Sequence, residues 1–215
     1  MKYLIFDIET GALSKEELEK VMPEFNAPGN YKKQESIDAY LKEAKEEYLE
    51  GKKAPLSALT GYVSALGYCI YDNVTKQFSE TNIIYGDEKD ILTKWWDLYQ
   101  ENDYIVGFNS NYFDIPFMIR RSWKNGINVP HIFMGKYLES KCIDLMVIWS
   151  CGLPDKTPLD RIAKYFGLSG KNGKGSEFTI LLNNPETKQQ ALEYLKNDVY
   201  MTRVVADKLL QLTLL

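Results

Sequence analysis

Two carboxylates separated by one residue end an apolar run close to the amino terminus, in Ile5-Phe6-Asp7-Ile8-Glu9-Thr10. Successive side chains of a β-strand point to opposite faces, so Asp7 and Glu9 are expected on one face with Cα atoms about 6.6 to 7 Å apart. That separation suits two acids sharing a divalent cation. Farther along, Asp114 opens an apolar stripe with helical spacing, and Tyr194 and Asp198 lie four residues apart on one face of a long helical segment. Each of these has a plainer reading when taken alone: a strand ending in a charged turn, a favourable charge at a helix amino terminus, a half-buried tyrosine beside a solvated aspartate. Chemistry requires that they meet, which is a question about the elements that carry them.

Tyr3 to Phe6 are apolar or aromatic on both faces, the pattern of a buried central strand, which places the acids at its carboxyl end where ligand crevices of such sheets lie. Ser14 with Glu17 predicts a capping box and a helix start, and Pro23 ends or shortens that helix. A second amphipathic helix is expected from Ile37, Tyr40, Leu41, Ala44 and Tyr48, stopped by Gly51. Residues 11–55 therefore read as a helical insertion after the first strand. Tyr62 to Tyr71 and Phe78 to Tyr85 predict an antiparallel pair joined through Asp72-Asn73. A helix over 88–101 follows from the spacing of Ile91, Leu92, Trp95, Trp96 and Tyr99, then a short strand over 104–108. Ile115, Met118, Ile119 and Trp123 predict a helix with Asp114 at its amino end and Gly126 as its stop. A short helix over 144–149, one opened by Thr157 as N-cap with Pro158 at its first position, and a long last helix capped by Asn184-Pro185 complete the chain. This order indicates an α/β fold, a mixed sheet flanked by helices.

At 215 residues and 45% hydrophobic content the chain can bury one sizeable core, and we expect a single domain, 1–215, carrying the insertion. A net charge of −4 argues against holding nucleic acid by a broad cationic surface, but not against an acidic site neutralised by bound cations. Three cysteines without Cys-x-x-Cys spacing argue against a disulfide scaffold or zinc ribbon and suggest reduced thiols and a cytoplasmic location. No run is long enough for a membrane span, and Asp7 and Glu9 interrupt the first apolar run before a signal-peptide core is complete.

In order, Phe-Asp-x-Glu-Thr at 6–10, Asn-x-x-x-x-Asp at 109–114 and Tyr-x-x-x-Asp at 194–198 resemble the DEDD superfamily of 3′-5′ exonucleases in its tyrosine-containing (DEDDy) branch. The stretch from Gly107 to Phe117 is particularly similar to the proofreading exonuclease domains of family B DNA polymerases and their predicted stand-alone relatives. The resemblance spans nearly the whole chain apart from the insertion. It implies a ribonuclease H-like fold and a metal-dependent 3′-5′ exonuclease that releases nucleoside 5′-monophosphates from the 3′ end of single-stranded DNA. It assigns catalysis to Asp7, Glu9, Asp114, Tyr194 and Asp198. The four acids would hold two Mg²⁺ ions, with Mn²⁺ able to substitute, and Tyr194 would orient the attacking water. Ile8, Thr10, Asn109 and Phe113 would line the terminal-nucleotide pocket. The sole histidine, His131, is far from the third motif, so the branch with a catalytic histidine there is excluded. Arg120, Arg121, Lys124 and the loop from Lys171 to Gly175 are further candidates for phosphate contact. Two other readings stand beside this one: action on RNA ends, and a non-catalytic nucleic-acid-binding module of the same fold.

Overall fold

A computed structural model describes residues 1–130 and 141–213, so His131 lies outside the described residues. Strand β1 (Lys2–Ala12) is followed by β2 (Gly61–Asp72), the short β3 (Gln77–Phe78) and β4 (Asn82–Tyr85), then helix α3 (Glu88–Glu101), β5 (Tyr104–Gly107) and α4 (Asp114–Lys124). Helices α1 (Lys15–Lys20) and α2 (Gln34–Leu49) lie between β1 and β2 in the chain. After α4 come β6 (Cys142–Asp144), α5 (Leu145–Trp149), α6 (Leu159–Tyr165), α7 (Phe178–Asn183) and α8 (Lys188–Leu210).

The six strands form one mixed sheet in the order β3-β2-β1-β5-β6, with β4 also paired to β2. β1, β5 and β6 run parallel, with Ile5 opposite Val106 and Gly107 opposite Asp144. β2 and β4 are antiparallel, with Leu66 opposite Ile84. The Asn73 amide donates to the Met1 carbonyl at 2.9 Å and the Ser64 hydroxyl to the Glu9 carbonyl at 2.9 Å. These ends match only if β2 runs antiparallel to β1. The carboxyl ends of three parallel strands thus lie together, which is where the acids of β1 stand.

Alternation along β1 divides the core. Ile5 belongs to the cluster built with Leu195, Val199 and Val205 of α8 and with Ile162, Phe178 and Leu182. Phe6, on the opposite face, packs against Trp95 of α3 with ring centroids 4.5 Å apart. Leu4, Ile5, Trp95, Leu195 and Val199 are inaccessible to solvent, and each such side chain contributes roughly 1.5 to 3 kcal/mol by leaving water. At Gly67 in β2 the side chains of α8 come close to the strand. A Cβ there would lie 2.7 Å from Val199 Cγ2 and 2.9 Å from Leu195 Cγ. On the other face α3 and α4 are tied by a buried ion pair, Arg121 Nη2 to Glu88 Oε2 at 2.7 Å, with the Val63 and Asn125 nitrogens also donating to Glu88.

Contacts divide the chain into two compact units, one of residues 1–9 and 63–215, the other Thr10–Tyr62. In the second unit, α1 starts with the expected capping box: Ser14 Oγ accepts from the Glu17 amide, and the Glu17 carboxylate accepts from the Ser14 amide. The two ends of the unit are tied by the Leu13 amide donating to the Thr60 carbonyl at 2.9 Å. Gly51, at φ +69°, turns the chain after α2, a left-handed conformation in which glycine has no Cβ penalty.

Several boundaries differ from the sequence expectation. β1 continues three residues past Glu9, because Gly11 and Ala12 extend without breaking the strand. The expected strand over 78–85 is split into β3 and β4 by Ser79 to Thr81. β6 and α7 were unforeseen; both are very short. Thr157 does not cap α6, since its hydroxyl donates to Asp155 at 2.7 Å and Pro158 occupies the cap position. α8 starts at Lys188, and Asn184 instead accepts from the Glu186 amide in the preceding turn.

Candidate active site

Asp7 and Glu9 project from the same face of β1 as Ile5, toward α8. One carboxylate oxygen from each of Asp7, Glu9 and Asp198 falls within 4.8 Å of the others. α8 delivers Asp198 together with Tyr194 because the two are one helical turn apart and their neighbours Leu195 and Val199 are sunk in the core. Asp198 is 2% exposed, and its Oδ1 makes no hydrogen bond. Burying a carboxylate oxygen without a partner is costly, so something positive is expected opposite it.

Asp114 stands at the first position of α4, buried, with its carboxylate accepting from its own amide and from the amide of Ile8. It is outside the three-acid cluster but close enough for its charge to act on Asp7 and Glu9. Burial, then repulsion from Asp114, Glu9 and Asp198, raises the Asp7 pKa well above the usual carboxylate range. Burial and Asp198 push Glu9 up to about 8. Burial also pushes Asp114 up to about 7, although the two amides oppose the rise. Four carboxylates thus face a shared demand for positive charge.

Part of that demand is met by a residue considered from its sequence context only for phosphate contact. The Lys171 amino group donates to Asp198 Oδ2 at 2.8 Å and to the Tyr194 hydroxyl at 3.0 Å. Burial disfavours its charge, but Asp198 and Tyr194 outweigh burial and its pKa is raised. Tyr194 is held protonated by burial and by the Asp198 charge. The loop carrying Lys171 is fixed by the Lys171 amide donating to Asp160 and by Asn197 Nδ2 donating to the Gly170 carbonyl at 3.1 Å. Gly173 lets it lie on the Tyr194 ring, where a Cβ would come within 2.8 Å of Cδ2. A lysine 27 residues upstream of Asp198 carries no local signal; only the density of Gly and Lys in 169–176 marks the loop.

Asn109 adopts a left-handed conformation, φ +58°, which asparagine tolerates better than most residues. Its amide donates to Asp144 Oδ1 at 2.9 Å, the Asn111 amide to Oδ2 at 3.1 Å, and the Met146 amide to Oδ1 at 2.9 Å. Asp144, at the end of β6, therefore shapes the loop leading to Asp114, a role with no sequence signature beyond its place before a short helix. Phe113 is half-buried against Phe117, ring centroids 5.6 Å apart. Ile8 is buried and contributes its amide to Asp114. Thr10 belongs to the other compact unit, where its hydroxyl donates to the Pro55 carbonyl at 2.8 Å. Of the basic side chains considered for phosphate contact, Arg121 is withdrawn by its buried pairing with Glu88, while Arg120 and Lys124 are exposed.

Three hard carboxylate ligands converge around an unsatisfied buried oxygen, with Lys171 against four acids among the described residues, and such a donor set suits a divalent cation. All three cysteines are free, with Cys69 and Cys142 buried; burial pushes the Cys69 thiol up to about 12. No described helix is long and apolar enough to cross a membrane.

Residues 70–210 match the family model of a predicted 3′-5′ exonuclease related to the exonuclease domain of PolB, and residues 1–138 match that of the DNA polymerase family B exonuclease domain. No curated protein matches the chain. Among solved structures, the family B DNA polymerase from the hyperthermophilic archaeon Pyrobaculum calidifontis superposes on 98% of it at 21% identity with a TM-score of 0.64. Only 24% of that polymerase is covered, so the chain spans about a quarter of its length. This likeness shows the fold, the mixed, helix-flanked sheet of ribonuclease H-like exonuclease domains. With two family models each matching more than half of its residues, the chain belongs to the 3′-5′ exonuclease domains of the family B DNA polymerase type, a family of hydrolytic nucleases.

Proposed function

We propose that residues 1–215 work as one exonuclease domain, with 11–55 as a helical insertion. The domain releases nucleoside 5′-monophosphates from the 3′ end of single-stranded DNA with the help of two divalent cations. The observation that carries this reading is the meeting of Asp7, Glu9 and Asp198 around a buried carboxylate oxygen without a partner, beside Tyr194 and Asp114. Asp7, Glu9 and Asp198 would hold one ion, and Asp7 with Asp114 the other. Bound there, such ions supply a lowered pKa for water and charge relief on the leaving oxygen.

The chain's own groups do the positioning. Tyr194 stays protonated and presents its hydroxyl beside Asp198, so it orients a water rather than deprotonating it. Lys171 fixes that hydroxyl and one oxygen of Asp198, leaving the other oxygen for a cation. The amides of Ile8 and Asp114 hold the Asp114 carboxylate, which costs nothing to reorganise during reaction. Asn109 and Phe113 border the place of the terminal nucleotide. The free cysteines accord with a cytoplasmic protein.

The test is stepwise shortening of matched 5′-labelled DNA and RNA strands with Mg²⁺ or Mn²⁺. Loss of mononucleotides from DNA, abolished in Asp7→Ala with folding preserved, supports the proposal. Preference for the RNA strand would move the substrate class, and an inactive parent that binds both strands would reduce the domain to a binding module.

A further inference from the structure

Asp160 stands in the first turn of α6, 11 residues before Lys171. We infer that Asp160 is a positioning residue of the exonuclease site: it anchors the main chain at Lys171 and so sets where the Lys171 ammonium holds the Tyr194 hydroxyl and Asp198. The inference rests on the exonuclease reading and gives a rate effect to a residue that touches none of the acids of the site.

Three observations support it. The loop from Gly170 to Gly175 has little means of fixing itself, because three of its six residues are glycine, the residue with most conformational freedom to lose. Lysine also carries its charge on a flexible four-carbon stem, so the bonds of Lys171 Nζ to Asp198 Oδ2 at 2.8 Å and to the Tyr194 hydroxyl at 3.0 Å depend on where its main chain is held. Asp160 is placed to hold it. Its Oδ1 accepts from the Lys171 amide at 2.6 Å, while its Oδ2 accepts from the Lys164 ammonium of the same helix at 2.8 Å. The carboxylate is thus oriented from its own side before it meets the loop. Gly170, at φ +88°, brings the chain so close that a Cβ there would collide with Asp160 Oδ1. The other tie, from Asn197 Nδ2 to the Gly170 carbonyl at 3.1 Å, joins neutral groups, and a bond to a carboxylate is the stronger kind. Finally, Leu159, Ile162 and Ala163 of α6 are buried in one cluster with Leu195 and Val199 of α8. Asp160 and the pair Tyr194 and Asp198 are therefore registered on the same core, with the loop strung between them.

The experiment measures kcat and KM of the full chain on a 5′-labelled oligothymidylate with saturating Mn²⁺, and hydrogen exchange of the Lys171 amide by NMR with a chelator. The Asp160 side chain is 30% exposed, so its replacement leaves the core filled. Asp160→Ala should speed exchange of that amide and lower kcat about tenfold, with KM within about twofold of the parent. Asp160→Asn keeps an oxygen for the Lys171 amide and should recover most of that loss. Lys164→Ala breaks the ion pair but leaves the amide its acceptor; parental kcat there separates anchoring of the loop from general loosening of α6. In a Lys171→Met chain, adding Asp160→Ala should cost less than about twofold, because the group it positions is gone. Losses that multiply in the double variant overturn the role. So do equal losses in Asp160→Asn and Asp160→Ala, a Lys164→Ala loss as large as that of Asp160→Ala, or unchanged exchange at Lys171 in Asp160→Ala. A parent that shortens no strand overturns the exonuclease reading and this role with it, whereas the other results overturn the role alone.

Discussion

Without divalent cations the protein should be more stable at mildly acidic pH than at pH 8, the reverse of a domain whose carboxylates are paired in the folded state. Glu9 rises from 4.5 to about 8 and Asp114 from 3.8 to about 7 on folding. Their stabilising contribution is therefore full below the unfolded values and is lost as pH climbs through the folded ones. Between about pH 5 and about pH 7 each group carries a proton in the folded chain that it lacks when unfolded, worth about 1.4 kcal/mol per pH unit. Two groups over that window give at most about 5 kcal/mol, and the shared charge among coupled acids, with Lys171 beside them, reduces this to about 2 to 5 kcal/mol. For a chain of this size that is a melting-temperature difference on the order of 10 °C. Saturating Mg²⁺ or Mn²⁺ should flatten or invert the trend, because the ions select the ionised carboxylates and release their protons. Scanning calorimetry with a chelator and with each metal, at about pH 5.5 and about pH 8, makes the comparison. Glu9→Gln should be more stable than the parent at pH 8 with the chelator and have a shallower pH slope. Metal-free melting temperatures that rise with pH, or a Glu9→Gln slope equal to the parent's, would refute the account of the site as a cluster of repelling acids.

Lys171→Met removes a charge-assisted hydrogen bond from Asp198 and another from Tyr194; kcat should fall about 10- to 100-fold with little change in KM for the oligonucleotide. Asp144→Ala leaves the amides of Asn109, Asn111 and Met146 without their acceptor, so stability should fall by about 2 kcal/mol or more and activity should fall with it, both readable in one chelator-free melting and turnover series. Arg121→Ala takes the positive charge from the Glu88 carboxylate and leaves it with the Val63 and Asn125 donors; this should cost about 3 to 5 kcal/mol in denaturant unfolding, with the metal dependence of the remaining activity unchanged.

The elements that carry the candidate site were legible where periodicity was strong. Asp7 and Glu9 share a face because strands alternate, and Tyr194 and Asp198 share one because helices repeat near four residues; neither depends on distant packing. What escaped depends on tertiary closure. β6 is three residues long and is a strand only because β5 offers it a parallel edge. Lys171 reaches Asp198 because a loop folds back over α8, and no local preference records the loop's landing point. Arg121 looked like a surface cation beside Arg120 and Lys124, but it sits on the buried stripe of α4, where its pairing with Glu88 makes it tolerable. Asp144 illustrates the same limit: a buried acid accepting three amides is indistinguishable in sequence from a simple N-cap, which it also is for α5.

The empty side chain of Gly67 is, in effect, the gauge block of the site. Leu195 and Val199 press on it, and each directly follows one of the site residues, Tyr194 and Asp198. The height of α8 above the sheet, and with it the gap between Asp198 and the acids of β1, is therefore set by the thickness of a hydrogen atom on a strand that contributes no ligand. Alanine at this position would act as a shim. It would lift tyrosine and aspartate together, keep their mutual spacing, and change only their distance to Asp7 and Glu9. Selection or design aimed at retuning the spacing of the acids could act there while every one of the acids stays as it is.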